Sequence, residues 1–213
     1  MQIKCQENQA ILWVMESPGI FRRYLKELSS QVQSKEGKFV LSHEDKELDL
    51  GKKVELILNP LEVDINDKRF VNKLYGELKE LAFGESYYVQ TRQMIHDVMV
   101  YFMELEQESS VSLDYGELDF VQLLKSLGVK IHDDTEETVE RLAQYLHVSA
   151  KLMNKTLVVF VNLSAYLENW EIEKLLQEAF YLKLYVILIE RRKLHLEIKK
   201  KCYIIDTDYC EIY

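Results

Sequence analysis

Residues 11–28, ILWVMESPGIFRRYLKEL, place an apolar run, a Ser-Pro-Gly turn and a stretch of helical spacing in the order of a phosphate-binding loop. A working loop needs G-x-x-x-x-G-K-[ST]. Its glycines let backbone N–H groups wrap the phosphates, its lysine reaches the outer phosphates, and its hydroxyl holds magnesium. Here ESPGIFRR supplies only Gly19, no Lys-Ser or Lys-Thr pair follows, and Phe21 puts a bulky ring where a phosphate would sit. Hydrolysis also needs an acid at the end of a neighbouring apolar strand. The expected strand, LVVFVN at 157–162, ends in Asn162 and Leu163. The order strand, turn, helix is kept without the groups that do the chemistry, which argues against hydrolysis.

Other catalytic patterns are no better represented. His43, His96, His132, His147 and His195 make no i, i+4 pair and no HExxH, and Ser164 lies in no GxSxG elbow. Scattered carboxylates of a metal-dependent nuclease have no fixed local spacing, so that class stays open. In SLDYGELDF, Asp114, Glu117 and Asp119 surround Gly116, downstream of Glu104, Glu106 and Glu108. Hard oxygen ligands at a tight turn suit calcium, but EF-hand spacing is absent and the same acids suit a helix start without any ion.

The chain that must position these groups has 213 residues, 47% of them hydrophobic, enough for one sizeable core or a core with a smaller packing unit. With Gly 7 and Pro 2, turns are few and helix should dominate. No signal-peptide pattern appears, and no apolar run reaches the roughly 18–20 residues of a membrane span, so a soluble, cytoplasmic protein without a membrane partner is expected. Cys5, Cys202 and Cys210 make no CxxC pair and are expected as buried thiols. A net charge of -9 argues against nucleic acid unless the cations are segregated. They do gather: Arg22, Arg23 and Lys26; Lys52 and Lys53; and the run from Arg191 to Lys201. Each cluster is also compatible with a solvated helix face or turn.

The spacing predicts a buried strand over 11–15 and a helix from Ser17, as N-cap, to about Ser29, with Pro18 at its first position. Short strands follow at KFVLS and KKVELIL, the latter with Val54, Leu56 and Leu58 on one face. From about 64 to 154 the period is helical. Phe70, Leu74, Leu78 and Leu81 form one stripe, and Met94, Val98, Tyr101, Phe102 and Leu105 another on a helix of roughly twenty residues. ELDFVQLLKSL is a third helix capped by Gly128, and a fourth opens at DDTEETVERL, with Thr135 and Thr138 as a partial capping box, and reaches about Met153. TLVVFVN, WEIEKLLQEAFYL and LYVILIE read as a parallel βαβ unit. The expected plan is an α/β head from 1–62 and 155–213 with an α-helical leg over 63–154.

The stretch QLLKSLGVKIHDDTEETVERLAQYLHVSAKLMNKTLVVFVNLSAYL, followed by LYVILIE and the closing CYIIDTDY, resembles the small adaptation subunit of type II-A CRISPR systems. The similarity covers about residues 117–210, and before it only element order and apolar pattern agree. The resemblance implies an α/β fold with a degenerate phosphate-loop-ATPase-like head and a helical leg. It implies a calcium-stabilised ring-shaped homotetramer that encloses double-stranded DNA at free ends, without sequence preference or catalytic activity. It implies work in spacer acquisition alongside the CRISPR integrase proteins and the effector nuclease. It makes Asp114, Glu117 and Asp119 the calcium candidates and Lys125 and Lys130 the phosphate-contact candidates, with Arg22, Arg23, Lys26, Lys52 and Lys53 as further cations for the hole. Such a ring reconciles the charges: basic residues turned inward give a positive hole in a negative assembly. The competing classes are a divergent nucleotide phosphohydrolase or metal-dependent nuclease, and a scaffold that meets only proteins.

Overall fold

A computed structural model describes residues 2–33, 36–44, 46–133 and 135–212 of the chain. It divides into two compact units, 1–65 with 133–213, and 66–132. The first is built on a six-stranded sheet of order β4-β5-β6-β1-β7-β8, and a two-stranded hairpin, β2-β3, stands apart from it. The strands are β1 (Ala10–Met15), β2 (Leu41–His43), β3 (Lys46–Leu48), β4 (Val54–Ile57), β5 (Leu157–Val161), β6 (Tyr185–Glu190), β7 (Lys200–Ile205) and β8 (Glu211–Ile212). β4, β5, β6, β1 and β7 run parallel, and β8 closes the edge antiparallel.

β1 and β5 are buried at every residue, as expected of parallel strands covered on both faces. Ile11, Trp13 and Met15 face one side with Leu157, Val159, Val161 and Ile189, and there α1 (Pro18–Val32) contributes Ile20 and Leu28. Trp13 meets Tyr24 and Phe39 edge-on, at 5.4 and 6.1 Å between ring centroids. The Gln31 amide holds the Phe39 backbone through both its oxygen and its nitrogen. Beyond β5, α7 (Asn169–Tyr181) packs on β6 through its buried Ile172, Leu175, Leu176 and Ala179. α6 (Thr138–Leu152) packs beside α7.

Several elements differ from the expectation. Lys52 and Lys53 are not in a strand: the Asp49 carboxylate accepts from the Lys52 N–H at 3.1 Å and caps a short helix, α2 (Leu50–Lys53). β4 therefore starts at Val54, and Val54, Glu55 and Ile57 are all buried rather than only one face. Thr135 does not cap α6. Its N–H and hydroxyl both reach the Asp133 carboxylate, and the helix starts after Glu137; Asp134 lies outside the described residues. The carboxyl boundary of the leg also differs, since 133–154 belong to the first unit. The cause is polar as well as apolar. Tyr145 of α6 donates at 2.6 Å to the buried Glu55 of β4. Lys155, just past α6, donates to the Gly51 and Val54 carbonyls at 2.7 and 2.8 Å with its nitrogen 3.8 Å from Glu55.

The second unit holds α3 (Lys68–Ala82), α4 (Tyr88–Glu108) and α5 (Phe120–Ser126). Thr91 Oγ1 donates to the Ala82 carbonyl at 2.7 Å, joining α3 to α4, and Phe83 meets Phe120 edge-on at 5.8 Å. Phe70, as expected, and Tyr75 are the large buried side chains of α3 while Leu81 is exposed, and the Tyr75 hydroxyl donates to the Val129 carbonyl. Gly128 takes φ +64 after α5, the left-handed cap its position called for. Asn66 grips the backbone of Ile131 with both ends of its amide, at 3.0 and 2.9 Å.

Removing the Lys155 ammonium takes away the cation facing a buried carboxylate. Lys155→Met should cost about 3–5 kcal/mol in urea unfolding, and Glu55→Leu/Lys155→Met should recover most of that loss.

Candidate functional site

In open parallel α/β sheets ligands bind beyond the carboxyl ends of the strands, where β1 here runs into α1. Ser17 occupies the N-cap position with extended dihedrals, but its side chain makes no cap hydrogen bond. Gly19 lies inside the first turn of α1. A Cβ built on it would meet nothing closer than Ser17 Oγ at 3.7 Å, so no backbone wrap requires a glycine there. Phe21 is half-buried against the head core rather than standing over a vacant phosphate position.

The sequence leaves the acid beside β1 missing; the structure places one there, on a strand other than the one expected. β5 is not adjacent to β1, whose neighbours are β6 and β7, and Val14 of β1 pairs with Glu190 at the end of β6. Glu190 is 1% exposed. Ser164 donates to it twice, from its N–H to Oε1 at 3.1 Å and from its hydroxyl to Oε2 at 2.7 Å. Desolvation pushes its carboxyl above the usual carboxylate range, opposed by the Ser164 and Leu163 donors and by the charge of Arg192. Asn162, in the left-handed region at φ 50, turns the chain so that the 3-10 turn Leu163–Ala165 presents Ser164 to Glu190. Arg191 donates to the Glu16 carbonyl at 3.0 Å, tying the end of β6 to the end of β1. Glu190 escaped the sequence reading because the neighbour of β1 depends on strand order, and local spacing does not carry strand order.

The three candidate calcium acids have unequal roles. Asp119 is the N-cap of α5, its Oδ1 accepting from Val121 N–H at 2.7 Å and Gln122 N–H at 3.1 Å. These backbone donors, with smaller help from Lys79 and Lys125, hold its carboxyl below the usual range. Asp114 and Glu117 are exposed in the connection before the helix. Among the described residues no group of three or more His, Cys, Asp or Glu side chains is disposed to hold a metal ion. Of the three, only Asp119 takes part in the helix start.

The cations fall in both units. Arg22, Arg23 and Lys26 are exposed on α1, which packs against α2 carrying exposed Lys52 and half-buried Lys53. Arg23 lies over the Tyr24 ring at 5.3 Å, and Lys52 is 3.9 Å from Asp49. Lys125 and Lys130 are exposed in the second unit. The run from Arg191 to Lys201 divides: Arg191, Arg192 and Lys193 lie in an exposed loop, whereas Lys200 and Lys201 begin β7. Cys5 and Cys202 are half-buried, with burial raising both thiols, and Cys210 is exposed rather than buried. Among the described residues no helix is long and apolar enough to cross a membrane.

The sequence profile of the CRISPR-associated protein (Cas_Csn2) family matches residues 31–209. The chain is 31% identical over 158 residues to CRISPR-associated protein Csn2 of Streptococcus agalactiae, covering 72% of this chain and 69% of that one. It is 22% identical over 160 residues to CRISPR-associated protein Csn2 of Enterococcus faecalis, covering 73% of this chain and 63% of that one. Its fold matches the crystal structure of Stu0660 of Streptococcus thermophilus with a TM-score of 0.56 at 12% identity, over 87% of this chain and 64% of that one.

Two measurements test this site. Gly19→Ala, at an unstrained helical position, should raise stability by about 0.4–1 kcal/mol. Because the fold raises the Glu190 carboxyl, its penalty is absent below the unfolded carboxyl's range and complete above the folded one, so stability falls as pH rises between them. Glu190→Gln keeps an acceptor for the Ser164 N–H and should gain on the parent as pH rises, read as the difference between melting temperatures. A difference that does not change with pH would mean that folding leaves the Glu190 carboxyl unshifted.

Proposed function

The chain belongs to the Csn2 family of CRISPR adaptation proteins, and from that premise we propose that it is a non-enzymatic, sequence-independent binder of double-stranded DNA ends, working in spacer acquisition as a calcium-stabilised ring tetramer. The observation that carries the non-enzymatic part is the closed edge beyond β1. Gly19 serves a plain helix turn, Phe21 is half-buried against the core, and both oxygens of Glu190 are held by Ser164. An edge so filled by its own side chains offers little to a nucleotide.

The DNA part is supported by exposed cations, Arg22, Arg23, Lys26, Lys52, Lys125 and Lys130, on a chain of net charge -9. Cations gathered on one surface of an assembly bind phosphates by releasing counterions, whatever the base sequence. Assembly is supported by α4, where Val89, Tyr101, Phe102, Met103 and Leu105 are exposed and Thr91 is the buried residue. Apolar side chains collected on one helix call for a covering partner, and a further copy supplies it. Calcium enters this reading as an ion shared between copies, because the acids of one chain leave a site incomplete. The integrase proteins and the effector nuclease are the partners this role requires.

The second reading, a phosphohydrolase or nuclease, rests on Glu190 as an acid beside β1 and on the exposed Asp114. Phosphate release or DNA cleavage that disappears in Glu190→Gln or Asp114→Ala would promote it.

The deciding experiment is a gel-shift comparison of an open-ended duplex and a closed circle of equal sequence, with solution mass measured with and without calcium. The open duplex should be retained and the circle released, and calcium should favour the four-copy mass. With about six to ten phosphate contacts, affinity should drop roughly a thousandfold or more from low to moderate salt, and Lys125→Glu/Lys130→Glu should weaken it further. Equal retention of both DNAs, or a single-copy mass in every divalent ion, would overturn the ring.

A further inference from the structure

Of the two tryptophans, Trp13 is 5% exposed in the core and Trp170 is 65% exposed in the first turn of α7. Tyr181, at the end of the same helix, is 85% exposed. Eleven residues at 100° each bring the two rings within about 20° of one helix face, about 16 Å apart along the axis. The opposite face is spent on the sheet through Ile172, Leu175, Leu176 and Ala179. Two large rings therefore stand at the ends of an outward stripe whose intervening residues are polar.

The charges along α7 are mostly of one sign. Glu168 and Glu171 close a reciprocal capping box, Glu173 accepts from the Glu197 N–H, and Glu178 is exposed. Lys174 is engaged with Glu140 of α6 at 3.9 Å, and Lys183 lies past the helix end. Aromatic anchors in an electronegative rim are complementary to arginine and lysine side chains, which gain from the ring faces and the carboxylates together. Phosphate would meet repulsion here. Two copies pairing α7 to α7 by a twofold axis would set the same acids against each other.

We propose that the solvent face of α7, from Trp170 to Tyr181, is a docking surface for a cationic segment of another protein. Trp170 and Tyr181 anchor it, and Glu173 and Glu178 supply the charge it meets. This surface goes beyond the DNA reading, uses none of the cations assigned to DNA, and stands or falls separately.

The test is calorimetric titration of the full chain with a twelve-residue Arg/Leu peptide, a matched Glu/Leu peptide and an open-ended duplex. The cationic peptide should bind and blue-shift the emission of Trp170, whereas the acidic peptide should not. Trp170→Ala, Tyr181→Ala and Glu178→Lys should each weaken the cationic peptide about tenfold or more, with Glu178→Lys also flattening its salt dependence. All three changes lie at exposed positions and should leave the melting temperature and duplex retention near those of the parent. Unchanged peptide affinity in both aromatic variants would overturn the proposal. So would a smaller assembly mass in Trp170→Ala, which would make the face a contact between copies, or duplex DNA producing the same emission shift.

Discussion

The head turns on one carboxylate. Glu190 is carried into the interior by the last residue of β6, beside β1, and an ionised acid there is costly unless donors meet it. Ser164 meets both oxygens, and Ser164 reaches that place because Asn162 bends the chain as β5 ends. The end of a strand that would elsewhere present an acid to magnesium is thus bonded internally. Beside this contact, α1 starts directly after β1, with Phe21 packed against the core. The carboxyl edge of the sheet thus carries an internal contact between Glu190 and Ser164.

What could be read in the sequence divides along physical lines. Apolar runs long enough to be buried on both faces, such as 11–15 and 157–161, announced themselves, and Gly128 announced its left-handed cap. Local polar competition was harder to see. The Asp49 cap turns Lys52 and Lys53 into helix, and the Asp133 bonds to Thr135 move the start of α6. These are single hydrogen bonds of about 1 kcal/mol, enough to shift a boundary by a few residues. Strand order is non-local, which is why the spacing points to the end of β5, where Asn162 stands, and not to Glu190. The α4 stripe had helical spacing, but periodicity alone does not tell a core-facing stripe from one open to solvent.

Charge in this chain is organised by surface rather than by total. Its arginines and lysines stand out on α1, α2, α5 and the loop after β6, while α7 carries acids between two exposed rings. The side chains proposed for a polyanion and those proposed for a cationic segment are therefore different residues on different elements. The net charge of -9 keeps copies apart at long range, so any association needs short-range apolar contact or a bridging cation to prevail.

Asn66 has a wider consequence. Its amide bonds both backbone groups of Ile131, at the two points where the chain passes from one compact unit to the other. The helical excursion therefore returns to its own starting point before the chain resumes the sheet. Its two ends are thus tied directly to each other. Evolution or an engineer could lengthen it, shorten it or exchange it for a short connector, and the sheet would see the same two anchor points.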